Sequence, residues 1–201
     1  MIVIGLTGSI GTGKSATAAM FAAHGIRVHD ADAAVHALYG PGGEAVAPVE
    51  AAFPGVSLDG AIDRDRLTAR VIGDAEALKR LEAIVHPLVR SRELAFLQAA
   101  RAARVHAAIL EIPLLFETGG AERCHLVVVT SAPRDVQRQR VLERAGMSEA
   151  KFEAILAKQM SDEDKRRRAH FVVETQHGFA AAEKQVADIV RALSALPGRA
   201  P

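Results

Sequence analysis

An α/β fold, a three-layer sandwich on a five-stranded parallel sheet, is predicted by three observations in the 201-residue chain. Short apolar runs at 2–6, 26–29, 107–112, 125–130 and 170–174 alternate with helix-patterned segments, as strands buried on both faces by crossover helices do. A glycine-rich loop separates the first run from the first helical segment. Between 40 and 105 the alternation gives way to helical patterning alone, which reads as a helical insertion.

The first run, Ile2-Val3-Ile4-Gly5-Leu6, leads into Gly8-Ser9-Ile10-Gly11-Thr12-Gly13-Lys14-Ser15. Two glycines at this spacing, then Lys and Ser, form a phosphate-binding loop, which makes the sandwich one of the P-loop NTPase type. Glycines let the backbone take positive φ and turn successive N–H groups round a phosphate chain at the positive end of the next helix. Lys14 is expected to reach the β- and γ-phosphates of a bound phosphate chain, and the Ser15 hydroxyl to hold Mg²⁺. An accidental glycine-rich turn is the competing explanation; the strand before and the helix after weigh against it. That helix should run to about Ala23, with Gly25 as its stop.

Asp30 and Asp32 follow at the carboxyl end of the second strand, the edge where open α/β sheets hold ligands. Capping the helix that starts near Ala33 would occupy one of them. In the insertion, Gly40-Pro41-Gly42-Gly43 and Phe53-Pro54-Gly55 break the chain, and 63–72 and 75–85 read as helices. Pro87 lacks a backbone donor, so it is expected to open a separate helix reaching about Ala103.

Pro113 ends the strand at 107–112 and begins Pro113-Leu114-Leu115-Phe116-Glu117. Glu111 or Glu117 could orient Mg²⁺-bound water, while Glu117 could equally cap the next segment. Pro133 opens a helix on which Gln137, Arg140 and Arg144 share a face. Such arginines are ordinarily solvated, yet in a phosphate-loop protein this helix commonly carries a lid, where guanidinium groups grip phosphoryl oxygens and stack on adenine. The helical region 148–168 ends in Lys165-Arg166-Arg167-Arg168, read as a solvated helix end favoured by the macrodipole. A closing helix spans about Ala180 to Leu193, and the tail Pro197–Pro201 is expected to fray. The chain thus reads as one domain: core 1–39, 106–132 and 169–201, insertion 40–105, lid 133–168.

Apolar residues make up 49% and charged residues 24%, with a net charge of +1, so neither nucleic acid nor an anionic membrane is expected as partner. One cysteine, Cys124, excludes an intramolecular disulfide and favours a reducing compartment. The N-terminus has no signal-peptide pattern, and no apolar run approaches the roughly 20 residues that span a bilayer. The histidines pair with no other ligand at zinc spacing.

Taken together, the loop Gly5–Ser15, Asp30-Ala31-Asp32, Asp63-Arg64 with Leu67, Leu81-Glu82 with His86-Pro87, Pro113–Glu117, and Gln137, Arg140, Arg144 and Gln159 resemble the dephospho-coenzyme A kinase family, nearly throughout the chain to about residue 175. The resemblance implies ATP- and Mg²⁺-dependent phosphorylation of the ribose 3′-hydroxyl of dephospho-coenzyme A, the last step of coenzyme A synthesis. It implies that Asp32 faces the acceptor hydroxyl, with Arg64 and His86 in or beside the acceptor pocket. Lys14 and Arg140 would act on the phosphates, with Arg144 also at ATP. It further implies a cytoplasmic enzyme, monomeric or a weak homo-oligomer. The chain departs from the family pattern at Ala16 (usually Thr), at His125 and His170 (usually Asp) and at Thr175 (usually Asn). A nucleoside or nucleoside monophosphate kinase is the alternative, disfavoured by the Asp-Ala-Asp and His-Pro motifs. A nucleotide-dependent switch is disfavoured by the lack of an Asn-Lys-x-Asp guanine reader.

Overall fold

A computed structural model describes residues 1–196; the tail from Pro197 to Pro201 lies outside the described residues. The elements in order are β1 (Ile2–Gly8), α1 (Lys14–Ala23), β2 (Arg27–Asp30), α2 (Ala31–Tyr39), α3 (Val46–Ala52), β3 (Ser57–Leu58) and β4 (Ala61–Ile62). Then come α4 (Arg64–Val71), α5 (Ala75–Ala102), β5 (Ala107–Glu111), β6 (Leu126–Ser131) and α6 (Arg134–Leu142). The last are α7 (Glu149–Leu156), α8 (Asp162–Arg168), β7 (Phe171–Glu174) and α9 (Phe179–Ala195). Residues 1–29 with those from 100 onward make one unit, and residues 30–99 a second.

The first unit carries the expected sheet, in the order β2-β5-β1-β6-β7. β1 is central and buried at every position, pairing in parallel with β5 from Ile2↔Ala107 and with β6 from Ile4↔Leu126. Alternation sends Ile2, Ile4 and Leu6 to one face, where Phe21 of α1 and Val186, Ile189 and Leu193 of α9 cover them. On another cluster of the unit, Leu115 packs with Val127 and Val129. The loop therefore emerges from the central strand of the sheet, buried at every position.

The two histidines that depart from the family pattern act as strand-edge acceptors. His125 Nδ1 accepts the Val3 N–H at 2.9 Å, and His170 Nδ1 accepts the Val127 N–H at 3.1 Å, the job a carboxylate oxygen would do. Replacing His125 by Ala orphans that N–H at a cost of about 1 kcal/mol, so Tm should fall by about 2–4 °C. His125→Asp should restore most of it, and equal losses in both variants, read by thermal melting, would assign the effect to ring packing instead.

The second unit has its own core of Leu38, Val49, Phe53, Val56, Leu67 and Val85. Asp63 caps α4 by accepting from the N–H groups of Asp65 and Arg66. β3 and β4 form a hairpin closed by Asp59 and Gly60 at φ 51° and 78°. The Asp-Gly pair suits a two-residue turn with positive φ at both positions, a signal overlooked in the sequence. The expected break at Pro87 is overturned: α5 runs unbroken from Ala75 to Ala102 with Pro87 inside it. An interior proline costs about 3 kcal/mol, but Leu81, Ile84 and Val85 before it and Leu88 and Val89 after it all pack on this core, which outweighs the local cost.

Candidate active site

The loop is shaped by close approach as much as by flexible backbone. Gly11 and Gly13 take φ 80° and 84°, and Gly13 caps α1 in the left-handed conformation. Gly8 is required by crowding: a Cβ there would stand 2.1 Å from Thr130 Oγ1 and 2.5 Å from Thr12 Oγ1. Those hydroxyls meet at 2.8 Å, and Thr12 Oγ1 also donates to the Ser9 carbonyl at 2.7 Å, closing the turn.

At the start of α1, Lys14 Nζ lies 2.5 Å from Glu111 Oε1, and the Ser15 hydroxyl donates to the same oxygen at 2.9 Å. Glu111 is 2% exposed at the end of β5, in register with Leu6 of β1. The two acids that the sequence left open as partners of a metal are thereby separated. Glu111 reaches the loop, whereas Glu117 accepts the Met160 N–H at 2.7 Å and pairs with Lys165 at 3.0 Å.

Lys165 has no exposed side-chain surface, so the reading of Lys165–Arg168 as a wholly solvated helix end is corrected for its first residue. Burial pushes the Glu117 carboxyl up, but the Met160 N–H and Lys165 more than offset this and hold it below the ordinary carboxylate range. The other members of the run are exposed, with Arg166 on Glu174, Arg167 on Glu163 and Arg168 over the Phe116 ring.

Arg140 leaves α6 toward the loop. Its guanidinium donates to the Gly11 carbonyl at 3.3 Å, to Thr175 Oγ1 at 2.9 Å and to the Thr175 carbonyl at 2.7 Å. The Thr175 hydroxyl in turn donates to the Thr12 carbonyl at 2.8 Å. Thr175 thus joins Arg140 to the loop, a role that sequence alone did not reveal. Beside them a largely apolar pocket is lined by Gly13, Met20, Arg140, Arg144, Thr175 and Phe179. Arg144 reaches this pocket from beyond the end of α6, and Gln137 is buried with its amide on the Ala132 carbonyl.

The first unit therefore brings Lys14, Ser15, Arg140 and Arg144 to the loop from Gly8 to Gly13. Asp32, Arg64 and His86 belong to the second unit. Asp30 Oδ1 accepts the N–H groups of Asp32 and Ala33 at 2.8 and 3.0 Å, so Asp30 is the cap of α2. Asp32 stands exposed in the first turn of that helix, and among the described residues no hydrogen bond or ion pair engages its carboxylate. Arg64 opens α4 with its guanidinium 5.9 Å from the Tyr39 ring centroid, and His86 lies within α5.

The profile of the family described as dephospho-CoA kinase matches residues 2–180. A dephospho-CoA kinase of Mesorhizobium japonicum is 60% identical over 190 residues, covering 94% of this chain and 95% of that protein. A crystal structure of a Thermus thermophilus protein superposes with a TM-score of 0.81 at 36% identity, covering 98% of each chain. A dephospho-CoA kinase of Campylobacter jejuni superposes with a TM-score of 0.66 at 25% identity, covering 95% of this chain and 96% of the other. With a phosphate-binding loop on this parallel sheet and a family match over most of its length, the chain belongs to the dephospho-CoA kinase family.

Proposed function

We propose that the chain transfers the γ-phosphoryl group of ATP to the ribose 3′-hydroxyl of dephospho-coenzyme A, giving coenzyme A and ADP. The observation that carries this reading is the convergence of Lys14 and Ser15 on the buried Glu111 at the mouth of a glycine loop, in a chain of this family. The bond from the 3′-oxygen to phosphorus forms as the bond from phosphorus to the bridging oxygen of ADP breaks. The hydroxyl proton passes to the Asp32 carboxylate. Phosphoryl transfer has a loose transition state, so positioning and neutralisation of charge supply most of the acceleration.

Mg²⁺ fits this site, because a hydroxyl and a carboxylate within 2.9 Å offer the hard oxygen donors that ion prefers. Ser15 would hold it, with Glu111 orienting its water, and it would neutralise charge on the β- and γ-oxygens. Lys14, paired here with Glu111, turns to the β- and γ-phosphates. Arg140 and Arg144 flank the triphosphate and base, while Arg64 and His86 hold the acceptor with the inserted segment 40–105. The region 133–168 serves as a lid over the nucleotide. The single cysteine and the absence, among the described residues, of any helix long and apolar enough to cross a membrane are compatible with the cytoplasmic setting that we assign.

The test is ADP release from ATP and Mg²⁺ with dephospho-coenzyme A set against a panel of nucleosides and nucleoside monophosphates. Phosphorus NMR then locates the product phosphate. Phosphate on the ribose 3′-oxygen with dephospho-coenzyme A alone is the expected outcome; turnover with another acceptor instead would overturn the substrate.

A further inference from the structure

One backbone donor of the loop is engaged by a side chain from far along the chain. The Ile10 N–H donates to Gln159 Oε1 at 3.0 Å, across 149 positions of sequence. Gln159 lies in the non-helical turn between α7 and α8. That turn is fastened by the residues that follow Gln159. The next residue, Met160, donates its N–H to Glu117, and Lys165, wholly buried, pairs with the same carboxylate. Between them the Asp162 carboxylate accepts the Ser131 hydroxyl at 2.6 Å at the end of β6.

We infer that Gln159 is a positioning residue for nucleotide binding, its carboxamide setting the Ile10 peptide and so the phosphate-loop backbone. The physical argument starts from the loop's own freedom. Gly11 and Gly13 leave several soft dihedrals between Gly8 and Lys14, and each unfixed residue spreads the N–H donors over many directions. Donors aimed before the ligand arrives need no reorganisation on binding, whereas a loose loop must be ordered by the phosphates themselves. Inside the loop, Thr12 N–H and Thr12 Oγ1 both go to the Ser9 carbonyl, which closes the turn from within. Thr175 and Arg140 brace Gly11 and Thr12 from one direction, and Gln159 braces Ile10 from the α7–α8 turn. The partly buried Glu117 and the wholly buried Lys165 anchor the turn that carries Gln159. A shift of the turn is therefore transmitted to the Ile10 peptide through a single hydrogen bond.

The inference rests on the reading that this loop holds the phosphates of ATP, and its test is separate from the identity of the acceptor. In the ¹⁵N-labelled full chain, Gln159→Met keeps the side-chain volume but removes the acceptor, and Gln159→Glu keeps an acceptor oxygen. Gln159→Met should speed hydrogen exchange of the Ile10 amide about tenfold and weaken MgADP binding by calorimetry about five- to tenfold. Gln159→Glu should return Ile10 exchange to the wild-type rate. Wild-type exchange and MgADP affinity in Gln159→Met, whether or not its Tm falls, would overturn the inference. A failure of the kinase reading shows instead as wild-type protein that transfers phosphate to no acceptor.

Discussion

Replacing Asp32 by asparagine is expected to lower kcat by about 10²–10⁴-fold, the usual worth of a positioned general base, with ATP affinity unchanged. The structure makes the substitution a clean one. Asp30, not Asp32, caps α2, so the helix keeps its N-terminal hydrogen bonds when Asp32 changes. Asparagine retains the shape of aspartate and one acceptor oxygen, so an acceptor hydroxyl can still be held. What is lost is the charge that draws off its proton. Asp30→Asn serves as the control, since asparagine caps a helix about as well as aspartate and should leave kcat near normal. Steady-state kcat with ATP titrated by calorimetry reads both quantities. Near-normal turnover in Asp32→Asn, or equal losses in the two variants, would remove Asp32 from the catalytic role.

The second large effect is expected at Glu111. Glu111→Gln keeps an oxygen within reach of Lys14 and Ser15 but removes the charge, so turnover should fall about 10²-fold and the Mg²⁺ concentration for half-maximal rate should rise. Glu111→Leu removes the acceptor altogether. Glu111 is 3% exposed at its side chain and Lys14 14%, so the ammonium loses this ion-pair partner in a poorly solvated place. Breaking such a pair costs about 3–5 kcal/mol, or a Tm lower by roughly 10 °C. A Mg²⁺ dependence in Glu111→Gln identical to wild type would assign Glu111 to anchoring Lys14 and nothing more.

The two acids at 111 and 117 also show where sequence stops being informative. Both lie near the end of the same strand, both are glutamates, and spacing alone favours neither. Only the register of β5 against β1 brings Glu111 to the loop, while the chain beyond Pro113 carries Glu117 to Lys165. The loop itself was legible because its chemistry is local: the glycines, Lys14 and Ser15 work within eight consecutive residues. Asp30 and Asp32 were half legible, since the pattern showed that one acid must cap and the structure showed which. Pro87 misled because an interior proline is a local penalty and the packing of α5 on its core is not local. Lys165 misled for a related reason: four consecutive basic residues look solvated until an acidic partner 48 positions upstream is known. Gln159 entered the family resemblance and Thr175 stood out as a departure from it, but neither residue's contact with the loop was legible. Their roles come from loop carbonyl and amide groups that a sequence does not display.

The central place of β1 bears on how the protein must be made. In a chain made from N- to C-terminus, Ile2–Gly8 precedes both partners of that strand, since β5 and β6 begin only at Ala107 and Leu126. At about 5–20 residues per second, the strand waits roughly 5–20 s for its first neighbour. Throughout that interval seven residues destined for full burial have no sheet to join, and their open edges are free to pair with another nascent chain. The phosphate loop, though made about a hundred residues ahead of β5, has no finished scaffold until β5 and β6 have followed it.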